Sequence, residues 1–523
     1  MDLNRPAEHE IPDSPVAARL NKMSDPAHSA MAESLDIGNK AATGIVWLLV
    51  QSVFARAVSV FSQIVLAWVL SPADFGKIAL AFTVTTLPAV LASSGTLEFL
   101  IQRHKAIRLW SNTVFWMSVC LGILSGTLMG ILAMIASPIY GTDLTGLVAI
   151  IALAAPISAA STVSIAILQS SLRFHLFAVI GTLEILLVAI MTISLALLDF
   201  GAYSFAIPIP VIAAFRVIIL CYFAPVRIAA SANFRRWRVV MGRVSAMIGT
   251  RLVQSAVAQA DYTILGALAS EAVVGYYSLA IKVAVQPVGM LAGNMHSVVF
   301  PALSRFADEP TRQYEAALAA SRLLATIIFP ICFVQAAVAD PVIRLIFGVK
   351  WLPAIPLIQI LSIGLAFDAV GWAFSALIQA QGEFRRDLIY NSAIALPFSG
   401  LVFLGASYGG AIGVATAVSG YYTLCHPLYS WLVFRRGNLP TRRLAVVYMR
   451  PSAAAAIAVG AALWLSHSLE TAVGDGLTKI ILTVGASGLG YMAIVYFLDR
   501  RSYNELQSRT VRALAGALAR RDL

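Results

Sequence analysis

Charged residues are scarce in this chain of 523 residues: aspartate, glutamate, lysine and arginine together make up only 12% of it. An average soluble domain carries about 25% charged residues, so the composition excludes a soluble globular enzyme and a disordered protein. Cysteine is also rare, with four residues, which excludes a disulfide scaffold. Apolar residues make up 59% of the chain. Since a transmembrane helix needs about 20 apolar residues, this fraction predicts an all-α, polytopic membrane protein.

Catalytic and metal-binding motifs are absent from the sequence. It has no P-loop, no H-E-x-x-H and no pair of cysteines or histidines spaced as metal ligands. The longest predicted outside loop, 339–353, is too short for the active-site domain of a membrane glycosyltransferase, the enzyme alternative. We therefore predict a protein that is not an enzyme and that holds no metal and no cofactor.

Apolar runs and short polar breaks alternate from Thr43 almost to the end of the chain, after a polar segment without a cleavable signal. We predict fourteen transmembrane helices. Their approximate limits are 43–70, 78–100, 110–136, 145–168, 174–198, 202–224, 242–269, 273–303, 316–339, 353–379, 388–405, 410–434, 445–467 and 477–498.

The positions of the basic residues predict the orientation. With both termini in the cytoplasm, 29 of the 37 lysines and arginines fall in cytoplasmic segments and three fall in outside loops. The positive-inside rule predicts this asymmetry. The net charge of +11 is therefore explained by topology and by contact with anionic lipids. Nucleic-acid binding is disfavoured because the bases are spread over all the inner loops.

The first six spans resemble the next six. Gly76 and Gly275, each after the first span of its half, are 199 positions apart, and residues 168–174 match 378–384 at an offset of 210. Because each half has an even number of spans, both halves insert in the same sense. We predict two pseudo-symmetric six-helix lobes plus two extra C-terminal helices. The predicted divisions are a disordered tail (1–42), the N-lobe (43–224), a basic loop (225–241), the C-lobe (242–434), two further spans (435–498) and a basic tail (499–523).

Nine ionisable residues fall within the predicted spans, where charges usually line a cavity or pair with one another. Arg56 on span 1 and Arg251 on span 7 occupy equivalent helices, and Lys282 lies on span 8. Together they predict a buried cationic patch, which suits an anionic headgroup because guanidinium pairs bidentately with phosphate. The alternative is that these residues form structural pairs between packed helices.

Polar residues accompany these bases on the same helix faces. Gln63 shares a face with Arg56, Gln254 shares one with Arg251, and Gln286 shares one with Lys282. Asp261, on the Arg251 face, would pair with Arg251 in the empty site or take up a coupling proton or Na⁺. Lys479 lies at the end of a span, where it can reach the lipid headgroups, and we assign it no function. The remaining charged residues in the spans are better explained as structural pairs: Arg216, Glu98, Glu184 and Asp368.

The segment 67–81 (Ala-Trp-Val-Leu-Ser-Pro-Ala-Asp-Phe-Gly-Lys-Ile-Ala-Leu-Ala), with Gly95 and the run 100–103 (Leu-Ile-Gln-Arg), resembles the first hairpin of the polysaccharide transporter family. These are the Wzx-type flippases of the multidrug/oligosaccharidyl-lipid/polysaccharide exporter superfamily. The resemblance implies translocation of an undecaprenyl-pyrophosphate-linked oligosaccharide across the bacterial inner membrane by alternating access, for exopolysaccharide or lipopolysaccharide biosynthesis. It implies that Arg56, Arg251 and Lys282 meet the pyrophosphate.

The expected partners are this lipid-linked oligosaccharide, membrane lipids and the polysaccharide polymerase or export machinery. Two other functions stay open at this point. A cation-coupled multidrug exporter would have the same architecture, but its site would favour buried acids over buried bases. A non-transporting scaffold for polymer assembly would tolerate every change in the cavity.

Overall fold

A computed structural model describes residues 47, 51–93, 95–103, 106–141, 143–171, 173–225, 229, 234–304, 306, 309–468 and 477–498. The predicted tails, 1–42 and 499–523, lie outside the described residues. In the described part the chain is helical and contains no strand. The all-α membrane architecture predicted from composition is therefore confirmed.

In the described part, the first half of the molecule, here called the N-half, contains eight α-helices of seven residues or more, besides a single helical turn at Tyr203–Ala206. They are α1 (Gln51–Val69), α2 (Pro72–Ser93), α3 (Thr96–Gln102), α4 (Ile107–Tyr140), α5 (Asp143–Ala160), α6 (Thr162–Ser170), α7 (Phe174–Leu197) and α8 (Pro208–Phe223). Ser71 caps α2, because its hydroxyl accepts the Asp74 N–H while the Asp74 carboxylate accepts the Ser71 N–H. A positive φ of 82° at Gly95 separates α2 from α3.

The second half, here called the C-half, contains six helices, and two more follow it. They are α9 (Phe234–Ala258), α10 (Ala260–Leu268), α11 (Glu271–Ser304), α12 (Pro310–Val342), α13 (Ile355–Ala380), α14 (Phe384–Phe434), α15 (Arg442–Ser468) and α16 (Leu477–Leu498). The predicted basic loop 225–241 is partly helical, since α9 begins at Phe234, eight residues before the predicted start of span 7.

Twelve helices in the described part are long and apolar enough to cross a membrane. One of them, Arg385–Gly437, covers two predicted spans, and its backbone leaves the helical conformation at Gly410. The predicted span 242–269 is divided at Gln259 between α9 and α10. The protein is thus a multi-pass membrane protein, and the count of fourteen spans stays a prediction.

The two halves approach each other most closely at two glycines. A Cβ atom added to Gly76 would lie 1.8 Å from the carbonyl oxygen of Glu271, and one added to Gly275 would lie 1.8 Å from that of Pro72. Glycine permits this backbone contact because it has no side chain. Residues 72 and 271 are also 199 positions apart, so the contact is reciprocal and follows the internal repeat.

Candidate functional site

Arg56 crosses from the N-half to the C-half. Its Nη2 atom donates a 2.7 Å hydrogen bond to the carbonyl oxygen of Gly289 on α11. A Cβ atom at position 289 would lie 3.2 Å from Arg56 Nη1, so glycine leaves room for the guanidinium against the helix backbone. This contact belongs to the seam, which we define as the surface where α1, α2 and α3 face α9 and α11.

Arg251 crosses the same seam in the opposite direction. Its Nη2 atom lies 2.8 Å from Oε1 of Glu98 on α3, with side-chain exposures of 47% and 30%. The other oxygen of Glu98 accepts the backbone N–H of Gly95 at 3.1 Å. Glu98 was interpreted as a structural residue and Arg251 as a substrate ligand, and the structure joins them. This pairing is also what the structural alternative for Arg251 predicts.

These two contacts have a common pattern. Arg56 extends from the first helix of the N-half to the second long helix of the C-half, and Arg251 extends from the first helix of the C-half to the segment that ends the second helix of the N-half. The internal repeat explains this reciprocity, since α1 and α9 are equivalent helices. The seam therefore carries one guanidinium from each half.

Lys282 lies on α11 against two aromatic rings of the N-half. Its Nζ atom is 5.4 Å from the ring centre of Phe75 and 5.7 Å from that of Phe205, as in a cation–π contact. No carboxylate among the described residues forms an ion pair with it. Lys282 and Gly289 share one face of α11, about 10 Å apart along the helix axis. The ammonium is thus held by rings near the carbonyl that binds Arg56.

The three glutamines have different environments. The side-chain nitrogen of Gln63 is buried and has no hydrogen-bond partner within the described residues. Gln286 is half-buried on the α11 face that carries Lys282, and Gln254 is exposed. Gln63 is therefore a polar group left unsatisfied inside the helix bundle, which is the costly arrangement that a bound ligand would relieve.

Asp261 does not pair with Arg251, so that prediction is wrong. The carboxylate is buried, with 6% of the residue exposed, and accepts a 2.7 Å hydrogen bond from the Tyr277 hydroxyl. Its other oxygen accepts the backbone N–H of Tyr262 at 2.9 Å. Asp261 lies ten residues after Arg251, about 15 Å along a helix axis, and binds Tyr277 of α11 instead.

Two further ion pairs lie inside the halves. Arg216 Nε is 2.6 Å from Glu184 in a cavity of about 300 Å³ in the N-half. His426 Nδ1 is 2.8 Å from Asp368 in a cavity of about 160 Å³ in the C-half. Positions 216 and 426 are 210 apart, the offset of the second sequence echo. Each of these polar contacts lies within one half, as expected for structural pairs.

The described residues include no group of three or more histidine, cysteine, aspartate or glutamate side chains that could hold a metal ion. Sequence reasoning missed the role of Glu98 at the seam, although its place beside Gly95 in the first-hairpin motif was a usable signal. It also missed the stacked arginines near Trp110, which are described below.

The comparisons with known proteins agree with this architecture. A family model described as "Polysaccharide biosynthesis protein" matches residues 65–356. The chain is 23% identical to the succinoglycan biosynthesis transport protein ExoT of Rhizobium meliloti (strain 1021) over 440 residues, which cover 83% of this chain and 88% of that protein.

Two more similarities extend the result. The lipopolysaccharide biosynthesis protein WzxC of Escherichia coli (strain K12) is 24% identical over 392 residues, which cover 73% of this chain and 78% of that protein. A solved structure titled "Lipid II flippase MurJ, inward closed conformation" has a TM-score of 0.70 at 16% identity, and the match covers 87% of this chain and 99% of that one. At this identity the structural likeness shows the fold.

Proposed function

The chain belongs to the polysaccharide biosynthesis protein family, and we propose that it translocates an undecaprenyl-pyrophosphate-linked oligosaccharide across the bacterial inner membrane. It is a polysaccharide transporter of the multidrug/oligosaccharidyl-lipid/polysaccharide exporter superfamily. Three parts of this function go beyond family membership: the polyprenyl lipid carrier, transport from the inner to the outer leaflet, and the binding site. Transport would proceed by alternating access between the two lobes, 43–224 and 242–434, with both termini in the cytoplasm.

The reciprocal pair of arginines is the observation that supports this function best. Arg56 and Arg251 come from equivalent helices, and each reaches the opposite half at the seam. Two guanidiniums at the contact between the halves suit the two phosphates of a pyrophosphate, because guanidinium donates two parallel hydrogen bonds to phosphate oxygens. A site between the lobes would meet the headgroup while the lobes move around it.

The present partners of the two arginines are exchangeable. Arg56 binds a backbone carbonyl, and Arg251 binds a carboxylate that is itself partly exposed. An exposed ion pair contributes about 1 kcal/mol or less, whereas hydrogen bonds between charged groups and phosphate are stronger. In the proposed mechanism the pyrophosphate replaces the Glu98 carboxylate at Arg251. Lys282, which lies against Phe75 beside Gly76, offers a positive charge further along the path of the headgroup. Opening of the seam and binding of substrate are then coupled.

The carried sugar chain and the lipid tail have different requirements. The oligosaccharide is polar and would occupy the space between the lobes, where Gln63, Gln254 and Gln286 offer donors and acceptors. The polyprenyl tail would stay in the bilayer through a lateral opening between the lobes. Asp261 is the proposed coupling residue for a proton or Na⁺ gradient, because it is a buried carboxylate without an ionic partner among the described residues.

A multidrug exporter is the second candidate and has less support from the charges. Of the acids in the spans, Glu184 and Glu98 are each paired with an arginine, and Asp368 contacts the His426 imidazole at 2.8 Å. Their negative charge is not free to attract a cationic drug. The seam instead carries the bases that suit an anion.

Polymer export in cells tests the proposal. We expect Arg56→Ala and Arg251→Ala each to reduce export of the polysaccharide about tenfold or more, since each removes charged hydrogen bonds to the pyrophosphate. Export is measured as cell-surface polymer, with the level of the protein in the membrane checked by immunoblot.

The matched control is Arg344→Ala, because Arg344 is paired with Asp340 at 2.8 Å and lies away from the seam. It should export normally. Normal export by both seam variants would contradict the proposed site. Normal export by a deletion strain that becomes sensitive to drugs would favour the multidrug exporter instead.

A further inference from the structure

A second cationic site lies at the end of the molecule where α3 ends and α9 begins. The guanidinium carbon of Arg103 is 5.1 Å from the ring centre of Trp110, and that of Arg236 is 5.9 Å from the same ring. Arg103 also lies 5.0 Å from the ring centre of Phe99. We call the three residues Arg103, Trp110 and Arg236 the Trp110 clamp. Its two arginines come from opposite halves of the molecule.

The packing of α4 against the start of α9 positions the clamp. Arg236 donates a 3.3 Å hydrogen bond from Nη1 to the carbonyl oxygen of Leu109, the residue before Trp110. Ala229, which precedes α9, contacts α4 as well, because Trp116 Nε1 donates to its carbonyl oxygen at 2.9 Å. The clamp is thus a built feature of the fold, held by backbone and ring contacts at half-buried side chains.

The charges of the clamp are not neutralised within the described residues. Neither Arg103 nor Arg236 forms an ion pair there, whereas Arg386 and Arg436 both pair with Glu383. Stacking on a tryptophan ring uses the face of a guanidinium and leaves its N–H edge free to donate hydrogen bonds. Two such edges beside one ring form a site for a doubly charged phosphate group.

The clamp is separated from the seam arginine by apolar packing. Along α9, Arg236 comes first, then Val240, Val244 and Ile248, and then Arg251. The three apolar residues pack against a cluster of the N-half formed by Phe99, Leu100, Val114, Met117, Leu121, Val163 and Ala166. Arg236 and Arg251 are about 22 Å apart along the helix axis. A ligand at the clamp would therefore be outside this closed contact.

We propose that the Trp110 clamp binds the phosphate headgroup of the lipid-linked substrate before the seam opens. This rests on the proposed function and deepens it, because it assigns a docking site that is distinct from the site at Arg56 and Arg251. The headgroup binds between Arg103 and Arg236 while the apolar contact is closed. When α9 moves away from α3 and α4, the headgroup passes along α9 to Arg251. Because Arg103 and Arg236 come from opposite halves, they move apart when the halves separate. The headgroup is then released from the clamp toward Arg251 at the seam.

A phosphate headgroup could come from the substrate or from bulk anionic phospholipid, and the experiment separates the two. The purified full-length protein is placed in nanodiscs of neutral phosphatidylcholine. Its affinity is measured by native mass spectrometry for undecaprenyl pyrophosphate and, in a second arm, for phosphatidylglycerol. The variant Arg103→Gln/Arg236→Gln removes both guanidiniums, and Trp110→Leu removes the ring but keeps the arginines. Thermal unfolding of each variant confirms that it is folded.

Arg435→Gln is the matched control. The guanidinium carbon of Arg435 lies 5.0 Å from the ring centre of Trp431, and neither residue belongs to the clamp. We expect the double variant to lose about tenfold in affinity for undecaprenyl pyrophosphate, since charged hydrogen bonds are lost. Trp110→Leu should lose affinity as well, and the control should not. The affinity for phosphatidylglycerol should stay unchanged in all three variants.

Three results would overturn the clamp proposal. Unchanged affinity in the double variant would show that the arginines do not bind the headgroup. An equal loss in the phosphatidylglycerol arm would make the clamp a site for bulk lipid. Flipping of lipid-linked oligosaccharide by the wild type in vesicles separates the two proposals. If the wild type flips this lipid and the double variant keeps its affinity, the clamp proposal is wrong and the proposed function stands. A wild type that neither binds nor flips this lipid overturns the proposed function too.

Discussion

At the Gly76 end of the seam the backbones of the two halves touch, and Lys77 pairs with Glu271 beside that contact at 4.0 Å. At the Glu98 end the halves meet through side chains. Gly76 and Gly275 let α2 and α11 approach until a Cβ atom would collide with a carbonyl oxygen. At the other end, Glu98 pairs with Arg251. Val244 contacts Gly95 there as well, since a Cβ atom added to Gly95 would lie 2.4 Å from the Val244 side chain.

The difference shows what each contact can respond to. A backbone contact between glycines carries no net charge and can be opened only by moving the helices apart. An ion pair with partly exposed side chains can be exchanged for another anion at little cost. We propose that the Glu98 end faces the cytoplasm and opens to the charged substrate, and that the Gly76 end faces the outside and is closed mainly by the close packing of α2 on α11.

The largest effect is expected at the glycine contact. In Gly76→Ala the new Cβ would lie 1.8 Å from the Glu271 carbonyl oxygen, so α2 and α11 must separate. Overpacking of this kind costs about 2 kcal/mol. We expect a lower midpoint of thermal unfolding for the purified protein and reduced polymer export.

Gly130→Ala is the control, because an added Cβ there has no atom within 4 Å. It should be at least as stable as the wild type, since alanine favours helix more than glycine does. Equal thermal stability of the two variants would show that the glycine contact does not hold the halves together.

A smaller effect is expected at the ion pair. Glu98→Gln removes the negative partner of Arg251 and frees its guanidinium for phosphate. We expect stability to change by less than about 1 kcal/mol, while affinity for undecaprenyl pyrophosphate rises about threefold because no carboxylate competes. The measurement is binding to the full-length protein in neutral nanodiscs.

Glu315→Gln is the matched control for that variant, since Glu315 pairs with Arg443 at 3.6 Å elsewhere in the molecule. Its affinity should equal that of the wild type. A fall in affinity in Glu98→Gln would mean that Glu98 positions Arg251 for the ligand rather than competing with it. The comparison between the two ends would then lose its chemical basis.

The smallest structural effect is expected at Asp261, which is buried within the C-half and belongs to neither end. In Asp261→Asn the amide oxygen can still accept the Tyr277 hydroxyl, so both contacts of the seam should persist and stability should change little. Transport in vesicles should no longer respond to an imposed proton or Na⁺ gradient. Asp340→Asn, at an exposed pair with Arg344, should keep the response. A retained response in Asp261→Asn would exclude it as the coupling residue.

The helices and the relation between the halves could be predicted from sequence because both depend on local or periodic patterns. Runs of apolar residues predict the spans. The offset of 199 predicts that Gly76 and Gly275 occupy equivalent positions in the two halves, and both lie at the close contact between α2 and α11. The family resemblance carried by residues 67–103 is confirmed. Boundaries were less accurate, since neither the break at Gln259 nor the helical start of α9 follows from hydropathy.

Side-chain partners could not be predicted in the same way. A shared helix face predicts that Asp261 binds Arg251, but ten residues place the two about 15 Å apart along a helix axis, and the Asp261 carboxylate binds Tyr277 instead. The partner of Arg251 is 153 positions away on another helix. The stacking of Arg103 and Arg236 on one ring likewise depends on how α9 packs on α4. Such contacts depend on how the two halves pack together, and local or periodic patterns in the sequence do not reveal that packing.

The central claim is that Arg56 and Arg251 bind the charged headgroup at the seam. The most direct test is the rate of flipping in proteoliposomes of wild-type protein and of Arg56→Gln/Arg251→Gln. Two substrates are compared, an oligosaccharide linked to undecaprenyl pyrophosphate and the same sugar linked to the polyprenol without phosphate. We expect the double variant to lose about tenfold or more in the rate for the pyrophosphate-linked lipid and to keep its slow rate for the uncharged one. An equal rate for the pyrophosphate-linked lipid in both proteins, at equal protein content and stability, would contradict the account.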